Sequence, residues 1–142
     1  IPKDIEGENL AALIQNPDPN ADRAALVMNV APFGANYKDQ PYRGIRTKQY
    51  TYAVTPKGPS MFYDNDKDPY QQNNLLGKPE FEGIQKDLDD KLQQQLQKIG
   101  DEVRPRAYYM EKWGYKFDDS RRAINWWDWK EGTGTVQSPK KL

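Results

Sequence analysis

The chain has 142 residues, enough for one modest core, with 36% apolar, 30% charged and 12% aromatic residues. Its 21 basic and 21 acidic residues cancel, so no global field draws it to nucleic acid or to an anionic membrane. It has neither cysteine nor histidine, which excludes disulfides, thiolate nucleophiles, zinc sites of the usual kind and imidazole bases.

No apolar run approaches the ~20 residues of a spanning helix, and the Ile1 start reads as that of a processed or excised piece. In chain order, the Pro- and Asn-rich opening holds one apolar patch, Leu10 to Ile14, expected to form one or two helical turns that would be marginal in isolation. Pro17 and Pro19 end it. Ala24 to Ala31, a short apolar run bounded by turn signals, reads as a buried strand, and Pro32 to Pro41 reads as a loop. From Tyr42 the pattern has period two. Ile45 and Thr47 share one face, as do Tyr50, Tyr52 and Val54 after a reversal near Lys48 and Gln49, which marks a hairpin with one wet side. Pro56, Gly58 and Pro59 break the run before a further short strand at Met61 to Tyr63.

The strongest periodicity follows. Pro79 suits a first helical position, Glu80 and Glu82 complement the positive end of the helix dipole, and Gly100 is placed as a stop. Phe81, Ile84, Leu88, Leu92, Leu96 and Ile99 form one stripe, with Asp87, Asp89, Asp90, Lys91 and Gln93 to Gln95 expected to face water. A shorter helix is expected through Tyr108 to Trp113, and Tyr115 to Leu142 reads as extended. The predicted fold class is therefore α+β: a small four-stranded antiparallel sheet with a long amphipathic helix packed on one face, and an extended C-terminal tail.

Three stretches gather chemistry-bearing side chains. Asp64, Asp66 and Asp68 alternate as in the opening of a calcium loop, but Pro69 stands where that loop needs Gly and Leu75 where it needs a bidentate Glu. The competing reading is a structural turn whose carboxylates satisfy backbone amides, and no metal ligand is assigned. Arg43, Arg46 and Lys48 beside Tyr50 and Tyr52 resemble a single-strand nucleic-acid reader, but a plain hairpin has the same composition and the balanced charge argues against such a partner. Trp126, Trp127 and Trp129 can stack on sugar rings, or bury against other parts of the protein. No set of nucleophile, base and orienting group can be assembled, so no residue is assigned as catalytic.

Taken as an ordered series, Tyr42-Arg43-Gly44-Ile45-Arg46-Thr47, Tyr50-Thr51-Tyr52, Met61-Phe62-Tyr63-Asp64, Asp68-Pro69, Asn74-Leu75 and the helix from Pro79 resemble the C-terminal subdomain of the sulfatase family. That family reads roughly Arg-Gly-Val-Arg-Thr, Tyr-Lys-Tyr, Leu-Tyr-Asp-Leu, Asp-Pro, Asn-Leu and then a helix. Ile1-Pro2, Ile5-Glu6-Gly7 and Asn9-Leu10 resemble its connecting segment, so the match runs from Ile1 to about Gly100. Thr51 replaces the family's usual Lys, and Gln71 and Gln72 stand where Glu or Thr is common.

The family's Cys-x-Pro-Ser-Arg segment has no counterpart here. The resemblance implies a parent sulfuric ester hydrolase acting on a sulfated carbohydrate or an aryl sulfate, whose formylglycine and calcium lie in an N-terminal catalytic domain, with no cofactor in this chain, and a periplasmic or secreted setting. It divides the chain into a connecting segment (1–23), the subdomain (24–100), and a short helix with an aromatic tail (101–142). Its expected partners are the catalytic domain and a sulfated saccharide, with Asn36, Tyr37 and Lys38 bordering the substrate pocket. The alternative is a free-standing carbohydrate-binding or protein-interaction module built on Trp126, Trp127 and Trp129. Nucleic acid and membrane are not expected partners.

Overall fold

The computed structural model describes residues 9–18, 21, 23–30, 41–113, 117–118 and 123–124. Four consecutive strands, β1 (Ala25–Asn29), β2 (Tyr42–Arg46), β3 (Tyr50–Thr55) and β4 (Gly58–Asp64), form an antiparallel sheet in sequence order. Register is set by Leu26 opposite Ile45, Ile45 opposite Tyr52, and Tyr52 opposite Phe62. That row is one face of the pleat, and it is the face the long helix covers.

A 3-10 turn at Pro79–Phe81 leads into α2 (Glu82–Ile99). Leu88, Leu92 and Leu96 are buried against Ile45, Tyr52, Val54, Phe62 and Leu75, with Phe81, Ile84 and Val103 at the margin. Phe62 is the aromatic centre, edge-on to Tyr52 at 6.2 Å and to Phe81 at 6.0 Å, an arrangement that adds to the area each ring removes from water. The helix ends in a Schellman motif. Gly100 takes φ 65°, its N–H reaches the Gln97 carbonyl at 3.2 Å, and the Asp101 N–H reaches the Leu96 carbonyl at 2.9 Å.

The small helix α1 (Ala11–Gln15) stands on the surface with no buried residue, and α3 (Arg106–Trp113) follows the linker after α2. Further on, β5 (Phe117–Asp118) and β6 (Ala123–Ile124) pair with each other. The remainder of the tail expected to be extended lies outside the described residues.

Several expectations need correction. The Ala24 to Ala31 run is not a buried strand: among the described residues β1 pairs with β2 alone, and Met28 is 41% exposed, because α2 lies over β2 and β3. The fourth strand begins at Gly58 rather than Met61. It accommodates Pro59 because β4 is an edge strand, and a register shift at Ala53/Val54 absorbs the irregularity. Ile99 falls on the stripe by angle but is 45% exposed. Asp89 and Gln95 do not simply face water. The Tyr52 hydroxyl donates to Asp89 at 3.0 Å, and the Gln95 amide donates to the Ala24 carbonyl at 2.9 Å, so both seal the edges of the stripe.

Candidate functional site

Among the described residues Arg43 is the most heavily engaged polar side chain, and the hairpin pattern hid it. By period two it shares a face with Ile45, which places its guanidinium under the helix rather than in water. It is 1% exposed. Nε and one terminal nitrogen donate to the two Asp101 oxygens, the latter at 3.3 Å. That same terminal nitrogen donates to the Tyr109 hydroxyl at 3.0 Å, and the other donates to the carbonyls of Tyr42 at 3.0 Å and Asn29 at 3.4 Å.

All five guanidinium hydrogens therefore have acceptors. The Tyr109 hydroxyl in turn donates to the Glu102 carbonyl and accepts from the Arg104 N–H at 3.1 Å, and its ring lies 5.3 Å from the guanidinium carbon. Burial alone would raise the Asp101 pKa, but hydrogen bonding to Arg43, the Glu102 N–H and the neighbouring positive charge outweigh it and hold the carboxyl below its ordinary value. The Schellman turn that stops α2 thus places Asp101 where it ties helix, linker and α3 to β2.

The acidic stretch after β4 is a set of capped turns. Asp64, 3% exposed, accepts the N–H groups of Asp66 at 3.1 Å and Lys67 at 3.0 Å, and the Gln49 amide at 3.2 Å. Burial pushes its pKa up, while these bonds and the Lys67 charge pull it further down, so it lies below the ordinary value. Asp68 accepts the N–H groups of Gln72 at 3.0 Å and Asn73 at 2.7 Å, which lower its pKa too. Asn74 accepts from the Phe62 and Leu76 N–H groups and donates to the Ser60 carbonyl, placing Leu75 in the core. The carboxylates serve backbone amides, as the structural-turn reading expects. Among the described residues no group of three or more His, Cys, Asp or Glu can hold a metal.

The five residues compared to a nucleic-acid reader do not share a surface. Arg43 and Tyr52 are buried toward α2, whereas Arg46 is exposed and donates to Thr51 Oγ1 at 3.1 Å. Gly44, between them, has no room for a side chain: a Cβ there would lie 2.5 Å from the Tyr52 carbonyl oxygen and 2.8 Å from Ala53 Cβ. Asn36, Tyr37, Lys38, Trp126, Trp127 and Trp129 lie outside the described residues.

Two open grooves flank α2, and they differ in charge. One, about 810 Å³, lies between α2, the β3–β4 turn and the linker after Gly100; its acids Glu82, Asp89, Asp101 and Glu102 face the single cation Lys86. The other, about 380 Å³, runs between α2, the β2–β3 turn and the segment before β1. Among the described residues that line it, Arg23, Lys48 and Lys91 accompany one acid, Asp87, over Tyr50, Ile84 and Leu88. Sequence inspection missed this second grouping because its cations come from three elements separated by 25 residues or more. The Leu88 to Lys91 spacing, which brings a cation alongside the apolar stripe, was the available signal.

Comparison with known proteins agrees with this geometry. The family profile described as "N-sulphoglucosamine sulphohydrolase, C-terminal" matches residues 1–98. A curated relative, the ulvan-active sulfatase of Formosa agariphila, is 61% identical over 139 residues, 98% of this chain but 27% of the relative; the chain thus spans about a quarter of that protein's length. A structure solved in complex with its substrate D-glucosamine-2-N,6-O-disulfate superposes with a TM-score of 0.57 at 25% identity, covering 68% of this chain and 20% of the other. The yidJ protein of Bacteroides fragilis shares the fold, with a TM-score of 0.55 at 22% identity over 70% of this chain and 21% of its own.

Proposed function

The chain belongs to the family of N-sulphoglucosamine sulphohydrolase C-terminal domains, and from this premise we propose that it completes a larger sulfatase that hydrolyses sulfate esters of a carbohydrate. The observation that carries the reading is the 61% identity to an ulvan-active sulfatase across 98% of the chain. In this reading the chain supports the catalytic domain and borders its substrate pocket, with Asn36, Tyr37 and Lys38 the residues nearest the nonsulfated part of the substrate. Residues 1–23 connect the two domains, 24–100 form the subdomain, and 101–142 carry the short helix and aromatic tail.

The chemistry belongs to the other domain. No cysteine is present as a formylglycine precursor, Asp64 and Asp68 accept backbone N–H groups and Asp101 pairs with Arg43, and in this reading formylglycine and calcium belong to the catalytic domain. What this chain contributes is a rigid wall. The Arg43 bonds to Asp101 and Tyr109 hold α2, its linker and α3 against the sheet, and that packing sets where the flanking loops stand.

The test is sulfate release by the intact protein from sulfated carbohydrates, polymeric and monomeric, followed by ion chromatography. Release from sulfated but not from phosphorylated sugars is expected. Absence of release from every sulfated carbohydrate, by protein matured to carry formylglycine, would overturn the reading.

A further inference from the structure

Although the whole chain has zero formal charge, its charge is sorted by α2. The helix presents one flank, with Glu82 and Asp89, to the acidic groove and the opposite flank, with Ile84, Leu88 and Lys91, to the cationic one. An anionic ligand is repelled by the first and attracted by the second. The cationic groove also has the lining a sugar needs. Arg23, Lys48 and Lys91 supply donors from three separate elements, Thr47 and Gln49 add neutral hydrogen-bonding groups, and Tyr50 contributes a half-buried aromatic ring beside Ile84 and Leu88. Tyr50 is held by its tilted contact with Phe62 at 5.6 Å, and the β2–β3 turn that carries Lys48 is pinned by Thr47 Oγ1, which accepts the Tyr50 N–H at 2.8 Å. Arg23, Lys48 and Lys91 are each engaged by neighbours within the chain, so a ligand's anionic groups would share existing contacts.

Resting on the sulfatase reading, we infer that this groove binds a chain of sulfated sugar residues. Cations from three separate stretches of the chain offer several contact points to an anion that repeats along a polymer, and each exposed ion pair is weak alone. Several weak contacts to one polymer raise its local concentration at the enzyme without altering the chemical step. The groove therefore acts on KM for long substrates and leaves kcat unchanged.

The test uses the intact protein with Lys48→Glu and Lys91→Glu combined, beside a control with Lys57→Glu and Lys78→Glu, two exposed lysines outside the groove. For a sulfated oligosaccharide, the groove variant is expected to show KM raised roughly threefold to tenfold, unchanged kcat, and a weaker salt dependence. On a monosulfated monosaccharide its kcat/KM should match the unmodified protein, and the control should match on both substrates. The milder Lys48→Gln with Lys91→Gln should raise the oligosaccharide KM less, in the same direction, if charge reversal disturbs folding. Equal behaviour of groove variant and control on the oligosaccharide would overturn the inference, as would an equal loss on the monosaccharide. If the unmodified protein released sulfate from neither substrate, the sulfatase reading itself would fall, which distinguishes that failure from failure of the groove alone.

Discussion

Arg43 shows how much one side chain can hold. A lysine in its place would keep the charge but lose the planar fork that serves Asp101, Tyr109 and two backbone carbonyls together. Removing the partner instead leaves the guanidinium buried without its counter-charge. Asp101→Ala is expected to cost about 3 kcal/mol, the lower end for a broken buried pair, because the Asp101 side chain keeps 22% of its surface exposed and so screens the pair. Urea unfolding measures it. The same pair makes the fold sensitive to acid. The carboxyls of Asp101 and Asp64 lie below their ordinary value of 3.8 in the folded chain, so at low pH the unfolded chain binds more protons. The stability they contribute is present above that value and is lost as pH falls through the folded values. Unfolding free energy should be flat from about pH 7 to 5 and fall below about pH 4, with a shallower fall in Asp101→Asn. An Asp101→Asn profile identical to the parent's would show that this carboxylate carries no such share.

At the level of elements, α2 was legible because six apolar residues keep one helical spacing and Pro79 and Gly100 bracket them, and the β2–β3 hairpin because its alternation is regular. What escaped detection was long-range. Arg43 meets Asp101 58 positions away and Tyr109 66 away, and within a hairpin an arginine flanked by Tyr42 and Gly44 reads as wet until the helix is laid over it. The exposure of β1 escaped for the same reason, since its apolar composition says nothing of how far a helix on another strand pair extends. The stripe itself makes a sharp prediction. Leu92 is fully buried between helix and sheet, and Leu92→Ala should cost about 2 to 5 kcal/mol through lost transfer energy and the cavity left behind. Leu92→Asp should cost more, since it buries a charge without a partner. Thermal unfolding unchanged by either would mean that the helix does not sit on the sheet.

Across the whole molecule, the ordered series from Tyr42 to Leu75 identified the family because its residues are structural: Arg43 ties β2 to the linker, Asp64 and Asp68 cap turns, and Asn74 seats Leu75. The residues proposed to border the substrate, Asn36, Tyr37 and Lys38, had no such imprint in the sequence, where their stretch reads only as loop by composition. If this chain is a working part of a sulfatase, as proposed, the most direct measurement compares sulfate release by the intact protein, catalytic domain included, with release by the same protein lacking this chain. The intact protein is expected to liberate sulfate from a sulfated carbohydrate and the shortened one to lose that activity. A shortened, folded protein that released sulfate at the full rate would contradict the claim.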